Sequence, residues 1–573
     1  MSNAGAGPMI LVLGAGINGC AIARELLLNG VGVAVVDRGD IAGGTTARSS
    51  RLLHGGLRYL EYGELDLVRE SLRERDRLIR LAAPYVRPLR FYIPIRSRWR
   101  GWLSAASRLL GGELAPTADR GLWLVRLGLR MYHAFCADSS LPGPRVDPVG
   151  EAGAPRVDAR QFRWLCSYSD CQIPYPERFV LALLEDARQI AENTGSPFAL
   201  FTYHRATRSG RTVVVESVER PSEVAFQCEP ALVINATGPW GDWTLGELGV
   251  PSPRLFGGTK GSHVVTTNRR LVDDLGGGAV YVQADDGRMV FVLPFGETVL
   301  IGTTDEPFFE RPECAVATTE EIEYLIATTN RVFPRAGLTC DDVLLHMSGV
   351  RPLPATGKRT PASITRRHHL EFNLNSDVAV VTVVGGKLTT CRALAQEVAT
   401  VVCRRLGRAP TADSRDRVLP GGEGVPVDPE AQLQACRALA DGFALRFDSV
   451  AAMWSLVGSR TQRFLETAGQ LADGCLDGTS IPIEFVRWVI RREWVHTLDD
   501  LVERRLMLLY HPTLTGRCLA QLAGLLADAG KAPGAEASEA VRRTRERLAR
   551  LYGRVIPDCR EATAGRPADQ RDG

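Results

Sequence analysis

MILVLGAGINGCAIARELLLNGVGVAVVD, residues 9–37, passes from an apolar run through a glycine-rich turn into an amphipathic stretch and a second apolar run. Residues 9–13 are apolar throughout, as a parallel strand buried on both faces requires. Ala21, Ile22, Leu26 and Leu27 recur at helical spacing. The segment therefore predicts one strand–helix–strand unit. Gly14, Gly16 and Gly19 form G-x-G-x-x-G at the first junction. In that pattern the first glycine permits the tight turn, the second lets a pyrophosphate approach the main chain, and the third lets helix and strand pack closely. Asp37 ends the second strand at the spacing where a carboxylate accepts hydrogen bonds from an adenosine ribose.

Two more apolar runs end in glycine. ALVINATGPW, residues 231–240, runs into Thr237 and Gly238, and VAVVTVVGGKLTT, residues 378–390, runs into Gly385 and Gly386. NAD and FAD share the opening motif, but an NAD domain usually completes itself locally. Glycine-ended strands more than two hundred residues away suit an extended FAD crossing several loops. Thr389 and Thr390 are expected to cap the helix that follows, leaving its N–H groups to face the anionic edge of a reduced flavin.

Between these runs, GSHVVTT (261–267), AVYVQADDGRMVFVLPF (279–295) and TVLIGTTD (298–305) alternate as antiparallel strands do, with DDGR as a hairpin turn. Beyond the proline- and glycine-marked linker RVLPGGEGVPVDPE (417–430) the pattern becomes helical. The expected fold is α/β, α+β overall. A discontinuous Rossmann-like FAD-binding domain (1–85, 166–247 and 355–420) accompanies a mixed or antiparallel β substrate domain (86–165 and 248–354). An α-helical carboxy-terminal domain (424–558) and a disordered tail (559–573) follow.

A formal charge of +3 over 573 residues offers no argument for nucleic acid as a partner. The 13 cysteines include no C-x-x-C pair, so reduced thiols and no metal site are expected. The amino terminus lacks a basic n-region and its apolar run is too short to span a bilayer, which points to the cytoplasm.

HGGLRYL, residues 54–60, is too polar for a core strand and too rich in glycine for a stable helix. It opens onto a wider pattern. LGAGINGCAIARELLLNG, TTARSSRLLHGGLRYLE, INATGPW, KGSHVV, IGTTD, SGVRPL and GGKLTT, in this order and spacing, resemble FAD-dependent sn-glycerol-3-phosphate dehydrogenase, within the D-amino-acid-oxidase-like flavoproteins. The likeness runs from Met9 to about Pro420, and RREWVHTLDDLVERR is similar to that family's carboxy-terminal domain. It implies FAD contacts at Gly14, Gly16, Asn18, Gly19, Asp37, Thr46, Ser49, Ser50, Gly238, Gly386 and Thr389, with Ala206 on the adenine side. It implies a small phosphorylated polyol as substrate, held by His54, Arg58, Tyr59, Arg351 and Lys387, and quinone as acceptor. It also implies peripheral attachment at the cytoplasmic face of the inner membrane, with a homodimer among the possible assemblies.

The chemistry of these residue types agrees. Hydride transfer from a secondary alcohol needs the hydroxyl proton removed, a task suited to an imidazole such as His54. A phosphate dianion wants several cations, which Arg351, Arg58 and the point charge of Lys387 can supply. His263 and His346 read as structural. Where the family usually shows an acidic pair followed by alanine and arginine, this chain has CQIPYPERF, residues 171–179. The stretch Arg87–Leu110 combines arginines with Phe91, Tyr92, Trp99 and Trp102 and no acid, as either an interfacial membrane patch or a surface loop would. The expected activity is oxidation of sn-glycerol 3-phosphate. The alternatives are an oxygen-using oxidase of another small hydroxy acid or amine, and a flavin-holding module without catalysis.

Overall fold

The structure, a computed structural model, describes residues 9–61, 63–99, 120–136, 140–355, 367–469, 471, 474–531 and 536–558, apart from the side chains of Arg58 and Glu61. The expected disordered tail, Trp102 and the rest of residues 100–110 lie outside these residues. The chain folds as two compact units, Met1–Gln432 with Val457–Ser459, and Leu433–Leu456 with Arg460–Gly573.

In the first unit, β1 (Ile10–Leu13), β2 (Val33–Val36), β7 (Phe198–Phe201), β11 (Leu232–Asn235), β18 (His369–Asn373) and β19 (Val380–Val384) form a sheet ordered β18-β19-β11-β1-β2-β7. Only the β18–β19 pair is antiparallel. The sheet is thus assembled from segments nearly four hundred residues apart. Helix Ile17–Leu28 packs against helices Pro176–Thr194 and Cys391–Arg405. Leu11, Leu13, Ala34, Val36 and Val233 point to the other face. There they meet Ala206, Val213 and Val215 from a small sheet of β8 (His204–Ser209), β9 (Thr212–Ser217) and β10 (Val224–Cys228). Burial on both faces explains why β1 is apolar at every position.

A larger sheet holds β3 (Leu52–Leu53), β4 (Arg87–Ile95), β5 (Arg145–Pro148), β6 (Trp164–Gln172), β12 (Phe256–Thr266), β13 (Ala279–Gln283), β14 (Met289–Phe295), β15 (Thr298–Gly302), β16 (Glu306–Pro307) and β17 (Val343–Pro354). Its order is β16-β12-β15-β14-β13-β4-β6-β3, with β17 also on β12 and β5 on β6. DDGR turns the chain between β13 and β14, closed by the Ala284 amide donating to the Arg288 carbonyl at 2.7 Å. The expected boundary at residue 166 falls inside β6, which pairs with β4 along its whole length and so belongs to this sheet.

Side chains alternate across a strand. Val264, Val280, Val282, Val290, Val292, Val299 and Ile301 therefore form one apolar face. They pack with Leu271 and Leu275 of helix Arg269–Leu275 and with Leu325 and Ile326 of helix Thr319–Val332. The neighbours between them, His263, Tyr281, Phe291 and Gly302, belong to the opposite face.

The same alternation corrects one expectation. Phe91 is only 1% exposed and stacks on Tyr168, and Tyr92 packs against the core, so neither belongs to a surface patch. Trp99 is 70% exposed.

The second unit is helical, with helices Phe447–Val457, Arg460–Ala468, Ile483–Arg492, Gly516–Asp528 and Ala537–Tyr552. Phe464, Phe485 and Trp488 cluster at its centre. Among the described residues, no helix is long and apolar enough to cross a membrane, and the cysteines are free thiols.

Candidate active site

The carboxyl ends of β19, β11, β1 and β2 lie side by side, and each leads into a segment singled out in the sequence. An open α/β sheet receives its ligand at this edge. Gly14 has φ +103°, a conformation only glycine adopts without strain. Asp37 accepts from the Ala15 amide at 2.7 Å and the Gly39 amide at 2.8 Å, so its carboxylate also holds the glycine turn in shape. The Thr46 hydroxyl accepts from the Ile17 amide at 3.1 Å, capping the first turn of the helix from outside it. Ser49 donates to the Thr46 carbonyl at 3.3 Å and accepts from the Arg51 amide at 3.3 Å.

Gly386 approaches Asn18 so closely that a Cβ would fall 2.6 Å from Nδ2. The buried Oδ1 of Asn18 has no hydrogen-bond partner among the described residues. Around Gly238, whose φ is +63°, an added Cβ would meet nothing within 4 Å. Ala206 turns its methyl into the core, so a ligand contact from it would use the main chain.

The two threonines of GGKLTT do not cap the following helix as expected. Thr390 occupies the position before Cys391–Arg405 without a side-chain hydrogen bond to the helix. Thr389 is spent elsewhere: its hydroxyl accepts from the His54 amide at 3.3 Å.

The larger sheet supplies the opposite wall. On its site face, Met347, His263, Gly302, Phe291 and Tyr281 lie directly across from one another on successive strands. Gly302 leaves the space that the His263 ring fills, since a Cβ there would sit 2.1 Å from the ring. Arg351 lies on this face too, four residues beyond Met347 on β17, with its guanidinium over Gly261. It donates to Asp305 at 2.6 Å and to the Thr304 carbonyl at 2.9 Å. The His54 ring meets Phe291 edge-on, with centroids 6.3 Å apart. The Lys387 ammonium sits 3.9 Å from the centroid of Tyr59.

Two groupings result, joined through Phe291 and Gly302. One holds His54, Tyr59, Lys387 and Thr389; the other holds Ser50, His263 and Arg351. The side chain of Arg58 lies outside the described residues. His263, read from the sequence as structural, hydrogen bonds Ser50 Oγ through Nε2 at 2.9 Å. Its KGSHVV context carried no sign of this, because the partner lies 213 residues away. Asp305 was also missed, although it belongs to IGTTD. The unusual CQIPYPERF segment anchors the loop before the heptapeptide: Glu177 makes a buried two-point ion pair with Arg51 at 2.8 and 3.0 Å.

Burial lowers the pKa of His54 to about 3, helped by the positive charges of Lys387 and Arg75. Burial likewise lowers that of His263 to about 3, helped by Arg351 and Arg51. Both imidazoles are neutral at physiological pH, so His54 can accept a proton without first losing one. An unfolded histidine protonates near pH 6.5, so below that value the unfolded chain binds protons that the native chain refuses. Stability from these groups is complete above about pH 6.5 and is lost as the pH falls toward 3. Calorimetric melting temperatures are expected to drop between about pH 6 and pH 4. In His263→Gln the slope should be shallower by up to about one proton; an unchanged slope would mean that His263 is charged in the native state.

The chain matches the family described as FAD dependent oxidoreductase over residues 9–400. It is 32% identical over 532 residues to the glycerol-3-phosphate dehydrogenase of Synechocystis sp., covering 87% of this chain and 88% of that one. It is also 32% identical over 512 residues to the D-erythritol 1-phosphate dehydrogenase of Brucella abortus, covering 87% and 93%. Its fold is similar to that of the glycerol-3-phosphate dehydrogenase from Bacillus halodurans complexed with FAD, with a TM-score of 0.70 and 21% identity over 95% of both chains.

Proposed function

The chain belongs to the FAD dependent oxidoreductase family, and from that premise we propose that it oxidises sn-glycerol 3-phosphate to dihydroxyacetone phosphate, with the electrons leaving to quinone. The crevice suits FAD on its own features. The amino-terminal end of helix Ile17–Leu28 offers amides for a pyrophosphate, and Asp37 stands at the end of β2 for a ribose. The buried Oδ1 of Asn18 has no partner among the described residues, and the Nδ2 of the same side chain lies against the glycine turn before Lys387. FAD held by these residues would supply the acceptor for the hydride of the alcohol carbon.

The observation that carries this reading is the grouping of His54, Tyr59 and Lys387 beside Phe291 of the sheet that also presents Arg351. In the proposed reaction a ring nitrogen of His54 takes the hydroxyl proton as the hydride departs. Burial, helped by the charge of Lys387, keeps that nitrogen unprotonated beforehand, and Lys387 steadies the developing alkoxide. Arg351 holds the phosphate with Tyr59 and Arg58 as further contacts, Arg58 by resemblance.

Attachment to a membrane surface, where quinone resides, is supported by helix Leu122–Ala134. It exposes Trp123 (39%), Leu127 (47%) and Met131 (45%) at i, i+4 and i+8. Trp99 extends this stripe, its ring 6.2 Å from that of Trp123, and Arg126 lies over Trp123. Indole rings beside guanidinium groups suit an interface with anionic headgroups.

A longer phosphorylated polyol is the second reading, favoured by the erythritol 1-phosphate dehydrogenase at equal identity. Anaerobic titration of the yellow protein separates the two. The visible flavin band is expected to bleach with sn-glycerol 3-phosphate at least tenfold faster, about 1.4 kcal/mol in barrier, than with D-erythritol 1-phosphate. The reverse order would assign the longer substrate, and no bleaching by either would overturn both.

A further inference from the structure

A chain of buried polar groups runs from the main chain next to His54 to Arg75, whose charge also acts on the imidazole. The Gly55 amide donates to the Tyr132 hydroxyl at 2.8 Å. Tyr132 donates to Asp170 Oδ2 at 2.7 Å, and Arg75 donates to Asp170 Oδ1 at 2.6 Å. Arg75, Asp170 and Tyr132 are each no more than 2% exposed. The four groups come from helix Leu65–Leu81, strand β6, helix Leu122–Ala134 and the glycine pair of the heptapeptide.

A buried ion pair is weak as a source of stability, because desolvation offsets most of the attraction, and apolar residues of similar shape commonly replace it without loss. Its characteristic benefit is fixing one geometry. Here the geometry ends on a main-chain N–H adjacent to the proposed base. Arg75 holds Asp170 from one side, so the remaining carboxylate oxygen is left to accept from Tyr132. The phenol, its O–H directed at Asp170, keeps its proton and presents lone pairs to the Gly55 N–H.

The loop has no slack around this contact. A Cβ on Gly55 would fall 2.6 Å from both Leu72 Cδ2 and the Tyr132 hydroxyl. On the other side of His54, the Thr389 hydroxyl takes the His54 amide at 3.3 Å. The two peptide N–H groups flanking the imidazole are thus held by two separate segments, helix Leu122–Ala134 and the loop after β19.

We propose that Tyr132, supported by Asp170 and Arg75, is a positioning residue that sets His54 for proton removal through the Gly55 amide. The proposal rests on the reading of His54 as the proton acceptor. A hydroxyl-bearing clamp confines the peptide plane, and with it the direction of the imidazole. When the hydroxyl is removed, Gly55 N–H and Asp170 lose their common partner, and the peptide turns toward other acceptors. The ring then points away from the substrate hydroxyl while the groups that bind phosphate and flavin stay in place.

The test is anaerobic stopped-flow reduction of the full-length holoprotein by sn-glycerol 3-phosphate, comparing wild type, Tyr132→Phe, Asp170→Asn and His54→Gln. For Tyr132→Phe the limiting rate of flavin reduction is expected to fall by about 10- to 100-fold, the cost of misplacing a reacting group by about an ångström. The half-saturating substrate concentration and the flavin content should stay within about twofold of wild type, and the solvent deuterium isotope effect on reduction should rise. Asp170→Asn, which offers one acceptor where Arg75 and Tyr132 need two, should show a loss of the same kind.

Reduction by Tyr132→Phe at the wild-type rate, with His54→Gln inactive, would overturn the clamp and leave the functional reading intact. Fast reduction by His54→Gln would overturn the base assignment and the clamp together. If Tyr132→Phe does not hold flavin, Asp170→Asn decides: loss of flavin there too makes the chain structural and overturns the proposal, whereas a slowed but flavin-replete protein supports it.

Discussion

Arg351→Ala is expected to lower kcat/KM for sn-glycerol 3-phosphate by about a hundred- to a thousandfold while leaving flavin content unchanged, since truncating one member of a hydrogen-bonded charge pair costs about 2–5 kcal/mol. The size of the effect follows from Asp305. In the intact protein Arg351 is paired with Asp305, and both side chains are about one-fifth exposed, at 20% and 17%. A phosphate docking on the guanidinium would share it with that carboxylate. Removing the arginine therefore does more than delete an attraction, because it leaves a bare carboxylate facing a dianion.

Asp305→Asn separates these contributions. It keeps the guanidinium, removes the competing charge, and is expected to lower KM modestly. Steady-state kinetics with a fixed artificial acceptor measure both variants. If Arg351→Ala keeps kcat/KM within about threefold, or about 0.7 kcal/mol, of wild type, Arg351 does not bind the substrate's phosphate.

Gly19→Ala is expected to yield protein without flavin. A Cβ at this position would lie 1.8 Å from the carbonyl oxygen of Gly14 and 3.4 Å from Val12 Cγ1. The first obstacle is main chain, so no rotamer change relieves it. Helix Ile17–Leu28 would have to lift from β1, carrying its amino-terminal amides away from the pyrophosphate they are proposed to meet. Overpacking of this kind typically costs about 1–3 kcal/mol and more where backbone must move.

Gly30→Ala, at the other end of the same helix, serves as the control. Its φ is +65° and nothing lies within 4 Å of the added methyl, so only conformational strain of about 1–2 kcal/mol is expected. The ratio of visible to ultraviolet absorbance of the purified proteins should fall below about a tenth of wild type for Gly19→Ala and stay near wild type for Gly30→Ala. A fully yellow Gly19→Ala protein would show that helix and strand can separate without losing the cofactor.

The parts of this protein that sequence determines are those specified by local periodicity and backbone conformation. Residues 9–37 spell a strand, a glycine turn and a helix because apolar spacing and the unusual φ of Gly14 act within a few residues. The DDGR hairpin and the glycine-ended strands β11 and β19 are local in the same sense.

Tertiary structure alone decided how those pieces meet. Alternation along β12, β14 and β15 tells which residues share a face, but strand register sets His263 over Gly302 and puts Phe291 across from it. Thr389, which looked like a helix cap, grips His54, 335 residues away, and Tyr132 reaches Gly55 across 77 residues. A buried hydroxyl takes whichever unpaired backbone group the packed elements bring to it, because an unmet hydrogen bond in the interior is costly. That choice is made only when distant segments close on one another, which is why the glycine turns, His54, Arg351 and Lys387 could be named as candidates from the residues while the parts of His263 and Asp305 could not.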